Sequence, residues 1–231
     1  MGAVSSTIDA AWDLLAAGEE APFWIVADSQ SAGRGRRGRG WESPPGNLYT
    51  ALALDAAPLG KAAPLLSLAL STAVACALNG LFQGRAGAQV KWPNDVLIDG
   101  AKISGLLIER RQETGGDRMV VGLGINVASH PALEDRKTAA LKAFAPQIGV
   151  DELFQSLSPL VEHAVRLCVQ GEIAAIREEW MALAAGLGSM IEVRLPETTL
   201  RGRHGGLNGD GTLNLLTDLG PVAVAAGDVF L

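Results

Sequence analysis

Apolar and polar positions change period several times along the chain. Ile8, Ala11, Trp12 and Leu15 recur at helical spacing after Ser6-Thr7, whose hydroxyls can cap a helix that Gly18 can end. PFWIVAD (22–28) and NLYTALAL (47–54) are short apolar runs between turn residues and predict strands. A Gly/Arg stretch without apolar period lies between them and reads as a loop. Residues 62–82 carry no charge and predict one long apolar helix. AQVKW (88–92) is a strand stopped by Pro93, which cannot continue a central ladder. In VLIDGAKISGLLIERR (96–111), Asp99-Gly100 separates two apolar runs, the strongest short hairpin signal. Gly115-Gly116 turns the chain into RMVVGLGINV (118–127), and 128–138 is a polar loop.

Two helices are predicted next, from Asp151 to about Gln170 and from Glu172 to about Ala185. GLGS (186–189) reads as a boundary. Beyond it, short strands alternate with Asn-Gly, Asp-Gly and Gly-Pro turns, the pattern of a small barrel. The expected fold class is α+β: a mixed or antiparallel sheet with helices over 1–186, then a small β domain over 187–231. No internal repeat is present.

With 48% hydrophobic and 19% charged residues in 231, the chain can bury a core, which excludes global disorder. A net charge of −6 and a pI near 5.1 exclude a broad basic face, so anion binding must be local. The two cysteines, Cys76 and Cys168, are far apart in apolar helical contexts, and the three histidines are scattered. That spacing speaks against a disulfide scaffold or a zinc site and predicts two buried thiols in a reducing compartment. MGAVSSTIDAAWDLL has no basic start or apolar run of a signal peptide. Residues 62–82 are long enough to span a bilayer, but Pro64, Ser67, Ser71, Thr72 and Asn79 interrupt them. They read as a helix buried against a sheet, and the expected compartment is the cytoplasm.

SAGRGRRGRG (31–40) concentrates four arginines and four glycines in an acidic protein. Glycines 33, 35, 38 and 40 let backbone approach a ligand, and arginines 34, 36, 37 and 39 present planar forks to phosphate or carboxylate. Taken alone, the stretch fits RNA binding and a small-molecule anion site equally. Its place between two apolar strands, closed by Trp41 and SPPGNLY, favours a loop that folds over one ligand.

KWPNDVLIDGAKISGLLIE (91–109) is the second stretch with chemistry. Lys91, Asn94 and Asp95 cluster where Pro93 breaks a strand, a set suited to a metal–nucleotide complex. Lys102 interrupts an apolar hairpin. It reads either as an edge lysine in solvent or as an ammonium at the mouth of an apolar pocket. Gly105 permits close backbone approach.

GRGRRGRGW, KWPNDVLIDGAKISGLLIE and GLGINV, in this order and at these separations, resemble the catalytic domain of biotin protein ligases. The similarity runs from about Ser6 to the C-terminus, where TLRGRHGGLNGDGTLNLLTDLGPVAVAAGDV is similar to the family's SH3-like end domain. The resemblance implies a class II synthetase-like catalytic domain and an ATP- and Mg²⁺-dependent ligase. Biotin would be activated as biotinyl-5′-AMP and passed to one lysine of a biotin carboxyl carrier protein. A mixed anhydride hydrolyses readily, so a mobile loop that excludes water has a clear use.

The roles the resemblance implies follow the motifs. Ser6, Thr7 and Gln30 would meet the ureido ring, and Gly33, Arg34 and Arg36 would line biotin and the adenylate. Trp41 would wall the valeryl chain or organise the closed loop, and Gly105, Leu107 and Gly122 would floor the pocket. Lys102 would pair the biotin carboxylate and then the acyl phosphate. Lys91, Asn94 and Asp95 would serve ATP and its Mg²⁺, together with Arg34, Arg36 and Lys102. Asn126 would lie near the adenine, which loop 128–138 would cover. Arg36, Lys102 and Asp95 are the catalytic candidates, Arg36 as the closing cation and Asp95 as acceptor of the attacking lysine's proton. Arg37 and Arg39 read equally as phosphate contacts and as solvated charge.

The chain departs from the family at one place: Ser-Thr-Asn is usual at the first helix, and Ile8 stands here in the asparagine's position, which bears on biotin affinity. Only five residues precede Ser6, so the DNA-binding domain of some relatives is not expected, nor is DNA or a membrane as partner. A homodimer through sheet edges is an arrangement known in the family. A lipoate or octanoate ligase of the same fold is the alternative, although such relatives typically lack the GRGRRG loop.

Overall fold

Ser6 sits in extended backbone (φ −157°, ψ 143°) and its hydroxyl accepts the N–H of Ile8. That cap turns the chain from β1 (Ala3–Val4) into α1 (Thr7–Ala16). The computed structural model describes residues 1–82, 87–113, 115–133 and 136–231. After α1 come β2 (Phe23–Ala27) and β3 (Ser29–Gln30), the latter parallel to β1. The Gly/Arg loop leads to β4 (Leu48–Asp55).

The apolar helix α2 spans Leu66–Leu81, four residues shorter at its start than the sequence pattern suggested. Residues 57–65 form 3₁₀ turns instead, broken at Gly60 (φ 49°) and carrying Pro64, which removes a helical donor. Residues 57–81 are long and apolar enough to cross a membrane, yet 72% of their most apolar window is buried inside the protein.

β5 (Ala88–Lys91), β6 (Asp95–Ile98), β7 (Ala101–Glu113) and β8 (Gly116–Ile125) follow. The β6–β7 hairpin turns on Asp99 (φ 49°) and Gly100 (φ 74°), the pair of left-handed residues that a two-residue hairpin requires. α3 (Val150–Gln170) ends on left-handed Gly171, and α4 (Ile173–Ala182) follows at once. The chain closes with β9 (Met190–Arg194), β10 (Thr199–Leu207), β11 (Leu213–Thr217), β12 (Gly220–Val224) and β13 (Asp228–Phe230).

Six strands form one wholly antiparallel sheet in the order β2-β4-β8-β7-β6-β5. The expectation of a mixed or antiparallel main sheet thus resolves to the second. Its leucine-rich face, with Leu52, Leu106, Val121 and Leu123, packs with α2 and α3 residues in the main core. The opposite face carries Ile25, Ala51, Ala53 and Val120 against Ile8, Ala11 and Trp12 of α1. The last five strands form a second antiparallel sheet in the order β12-β11-β10-β9-β13. Trp92 Nε1 donates to the Gly211 carbonyl and joins the two sheets.

Cys168 is buried as expected, and burial pushes its thiol up to about 11. Cys76 is exposed, against the expectation of two buried thiols: its α2 position turns outward while Ala75 and Ala77 on either side are buried.

Candidate functional site

The α1 face of the sheet is missing side chains where the central strands meet. Gly105 pairs with Gly124, and Leu107 with Gly122, on β7 and β8. A β-carbon on Gly124 would lie 2.6 Å from Trp41 Nε1, and one on Gly122 would lie 2.5 Å from Ile8 Cδ1. One on Gly105 would lie 3.1 Å from Lys102 Nζ. The strip of glycine backbone therefore floors a cavity of about 550 Å³, with Trp41 and Ile8 lying directly on it. Gly105, Leu107 and Gly122, the three expected to floor a pocket, all line this cavity. Gly124 belongs with them, and the two-residue period of GLG was its signal.

One end of the cavity is polar and neutral. Thr7 N–H donates to Gln30 Oε1 at 2.8 Å, with the Thr7 hydroxyl 3.1 Å from the same oxygen. Gln30 Nε2 donates to Ser43 Oγ at 2.9 Å, which donates to the Trp41 carbonyl. Ser6 and Thr7 both line the cavity, so Ser6 combines its helix-capping bond with a place in the wall.

The other end is cationic. Lys102 Nζ lies 2.6 Å from Asp95 Oδ1, and Lys91 Nζ lies 3.6 Å from Asp95 Oδ2. Arg36 donates to Asn94 Oδ1 at 3.1 Å, and Asn94 Nδ2 donates to the Leu106 carbonyl. Asp95 and Asn94 are each 8% exposed. Burial pushes both the Lys91 ammonium and the Arg36 guanidinium below their ordinary values, a pull that Asp95 opposes in both. The Lys102 ammonium also stands 5.3 Å from the centre of the Trp41 ring. Lys102 is therefore a partly enclosed, paired cation and not an edge lysine in solvent.

This arrangement does not supply a resident magnesium site. Both Asp95 oxygens face ammonium groups and Asn94 Oδ1 is taken by Arg36, so the oxygens that Mg²⁺ would need are committed. Among the described residues, no three His, Cys, Asp or Glu side chains cluster as metal ligands.

The four loop arginines diverge. Arg34 forks onto Asp9 at 2.6 and 2.7 Å and reaches Glu109 at 3.3 Å. Trp12 Nε1 donates to the same Glu109 carboxylate. The Arg34 hydrogen bond holds Asp9 below the usual carboxylate range. Arg34 was expected to touch both ligands; it lines the cavity, but its guanidinium serves these two carboxylates. Gly33 is not in the cavity wall. It faces the Trp41 carbonyl and Ser43 Oγ, where a β-carbon would lie 2.5 and 2.7 Å away, so it closes the base of the loop. Arg37 and Arg39 both bond Asp228 on β13, at 2.9 and 2.7 Å. Both are paired and not free, and Arg39 also lines the cavity. Of the four, Arg36 alone has no carboxylate within ion-pair distance among the described residues.

Asn126 lines the cavity from the end of β8. Its Nδ2 donates to the Ala139 carbonyl while its Oδ1 is buried without a partner. Trp41 Nε1 is likewise buried and unpartnered. The backbone of Lys102 pairs with the far end of the 128–138 loop: Lys102 N–H donates to the Lys137 carbonyl, and Ala139 N–H to the Lys102 carbonyl. Pro131, Leu133 and residues 136–138 of that loop line the cavity, while 134–135 lie outside the described residues. Sequence reasoning assigned no role to Asp9, Glu109 and Asp228: Asp9 and Asp228 lie outside the three motifs, and Glu109, which closes the 91–109 stretch, carries no sign of its arginine partner.

The sequence profile of the biotin/lipoate A/B protein ligase family matches residues 2–126. A biotin–[acetyl-CoA-carboxylase] ligase of Paracoccus denitrificans is 34% identical over 94% of this chain and 93% of its own length. The bifunctional ligase/repressor BirA of Bacillus subtilis is 33% identical over 90% of this chain, which spans 65% of that relative. Among solved structures, the biotin protein ligase of Aquifex aeolicus in complex with biotin and ATP superposes with a TM-score of 0.84 at 25% identity, covering 100% of this chain and 96% of that one. That of Leishmania major in complex with biotinyl-5-AMP gives 0.71 at 25% identity, with 96% and 97% covered.

Proposed function

The chain belongs to the biotin/lipoate A/B protein ligase family, and from its site we infer that it is an ATP-dependent biotin–protein ligase. It activates biotin as biotinyl-5′-AMP and transfers the biotinyl group to a lysine of a carrier protein. The observation that carries this reading is the polarity of the cavity. A glycine-floored apolar trough runs from the neutral Thr7–Gln30 end to Lys102, Lys91 and Arg36 at the other.

A bicyclic urea with a carboxylate tail matches that gradient. Thr7, Gln30 and Ser6 take the ureido group, Trp41 and Leu107 flank the chain, and Lys102 meets the carboxylate. Asn126 Oδ1, buried without a partner, accepts the adenine amino group. A biotin carboxylate oxygen attacks the α-phosphorus of ATP, the bond to pyrophosphate breaks, and pyrophosphate leaves with its electron pair. The carrier lysine amine then attacks the acyl carbon, AMP departs and the amine proton is lost. Lys102 and Arg36 face the charge that both steps concentrate at the phosphate. Asp95 positions Lys102 and Lys91 and is poorly placed as the proton acceptor while both hold it. Mg²⁺ belongs to the ATP substrate as its counter-ion.

The carrier is a biotin carboxyl carrier protein of a biotin-dependent carboxylase. The final strands form an SH3-like domain over 187–231 and the rest a class II synthetase-like domain over 1–186, a division that their separate sheet supports. The protein works in the cytoplasm, acts without DNA, consistent with its net charge of −6, and can pair through sheet edges. The test is incubation with carrier domain, biotin and MgATP, followed by a streptavidin blot. Labelled carrier is expected; none under saturating ligand overturns the reading. Calorimetry with biotin against lipoate separates this activity from the lipoate alternative.

A further inference from the structure

We propose that Asp228 is a positioning residue that tethers Arg37 and Arg39 of loop 33–40 at the rim of the cavity, so that Arg36, which has no carboxylate partner among the described residues, is held pointing in to close it. The proposal rests on the biotin-ligase reading for its readout.

The geometry is specific. Arg37 and Arg39 converge on a single oxygen, Asp228 Oδ2, at 2.9 and 2.7 Å. Arg37 (φ 57°) and Gly38 (φ 72°) are both left-handed, and this tight kink sends Arg37 and Arg39 toward β13 while Arg36 enters the cavity toward Asn94. A left-handed arginine is unfavourable unless its surroundings hold it, and here the ion pair does so. β13 touches the cationic end at a second point, because Lys91 Nζ donates to the Val229 carbonyl at 3.3 Å. The strand carrying Asp228 is thus fixed to the phosphate side of the cavity, and Asp228, Val229, Phe230 and Leu231 all line it.

Charge makes the tether consequential. Without the carboxylate, Arg36, Arg37 and Arg39 are three like charges within four residues, and nothing holds the kink that aims Arg36 inward. With it, two are neutralised in part at the rim and the half-buried Arg36 faces the developing phosphate charge. Burial pushes the Asp228 carboxyl up, but the hydrogen bond from Arg39 and the fields of Arg39, Arg37 and Arg36 outweigh it and keep the group below the usual carboxylate range. The bridge therefore persists at neutral pH. At the other side of the loop, Arg34 on Asp9 and Glu109 fixes the base, so the segment between is held from two directions.

The experiment measures release of biotinyl-5′-AMP from preloaded enzyme, with labelling of a bystander protein as a second readout. Asp228→Asn is expected to release adenylate at least tenfold faster and to raise bystander labelling, and Asp228→Glu to restore retention. The loop-side variant Arg37→Gln/Arg39→Gln leaves β13 intact and should give the same loss. Adding Asp228→Asn to it should change nothing further, since all three act as one unit. Should Asp228→Asn lower the melting temperature, the loop-side variant decides. Release at the parental rate in that variant, or losses that multiply when combined, overturns the proposal. If the parent protein forms no biotinyl adenylate, it is the biotin-ligase reading that fails. If the parent forms and keeps it and the variants keep it equally well, only the role of Asp228 fails.

Discussion

Ile8 and Gly122 compete for one volume: a β-carbon on Gly122 would stand 2.5 Å from Ile8 Cδ1 and 2.7 Å from Cγ1. Ile8 is 3% exposed and packs with Ala11, Trp12 and Ile25, so an apolar residue in the family's usual asparagine position is accounted for by packing. Gly122→Ala should therefore destabilise the fold by overpacking, roughly 1–3 kcal/mol. Ile8→Ala should cost about 2–5 kcal/mol through the cavity it leaves. The double variant should lose clearly less than the sum, measured by urea unfolding. Strict additivity would mean that the two do not share the space.

Lys102→Ala should reduce adenylate formation by about 10²–10³, the usual loss when one preorganised donor to developing charge is removed. Lys102→Arg should not rescue it, because a planar fork does not fit where a compact ammonium sits 2.6 Å from Asp95 and over Trp41. Pyrophosphate release measured with carrier absent reports this step. A near-parental rate would remove Lys102 from the chemistry.

For Arg36→Gly the expected result is a leaky enzyme. Adenylate still forms, escapes, and modifies lysines on unrelated proteins, because the cavity-lining loop arginine that no carboxylate holds among the described residues is gone. The check is a streptavidin blot with carrier and a bystander protein together. Labelling confined to the carrier would assign closure to another group.

His204 supplies a pH dependence of stability. It is 2% exposed, its Nδ1 accepts the Gly206 N–H, and burial lowers its pKa from the ordinary 6.5. The folded state therefore resists the proton that the unfolded chain accepts, and stability declines as pH falls below about 6.5 until the buried ring also titrates. Above that pH the group has no effect. Urea midpoints at pH 7.5 and 5.5 should differ in the parent and differ less in His204→Asn. An unchanged difference would place the titrating group elsewhere.

The parts legible in sequence are those whose physics is local. Asp99-Gly100 specifies its hairpin because both turn residues must be left-handed, a demand that two adjacent residues announce. The glycines at 105 and 122 were readable because missing side chains in an apolar strand need a reason. The start of α2 was misread because uncharged 3₁₀ turns at 57–65 look like more helix until Gly60 and Pro64 are weighed. The partners of the arginines were not readable at all. Arg34 meets Asp9, 25 residues away, and Arg37 meets Asp228, 191 residues away, and no periodicity encodes such a pairing.

That last separation has a meaning for the making of the protein. At ordinary rates of translation, about 5–20 residues per second, the arginine loop is finished about 10–40 s before the carboxylate that receives Arg37 and Arg39 has been synthesised. The nascent polypeptide can build its first strands and α1 during that interval, but it holds two arginines with no acid on β13 to meet. Assembly of the site is thus scheduled by the C-terminal end of the chain, and a ribosome-bound intermediate would carry the whole biotin-facing trough without a controlled entrance.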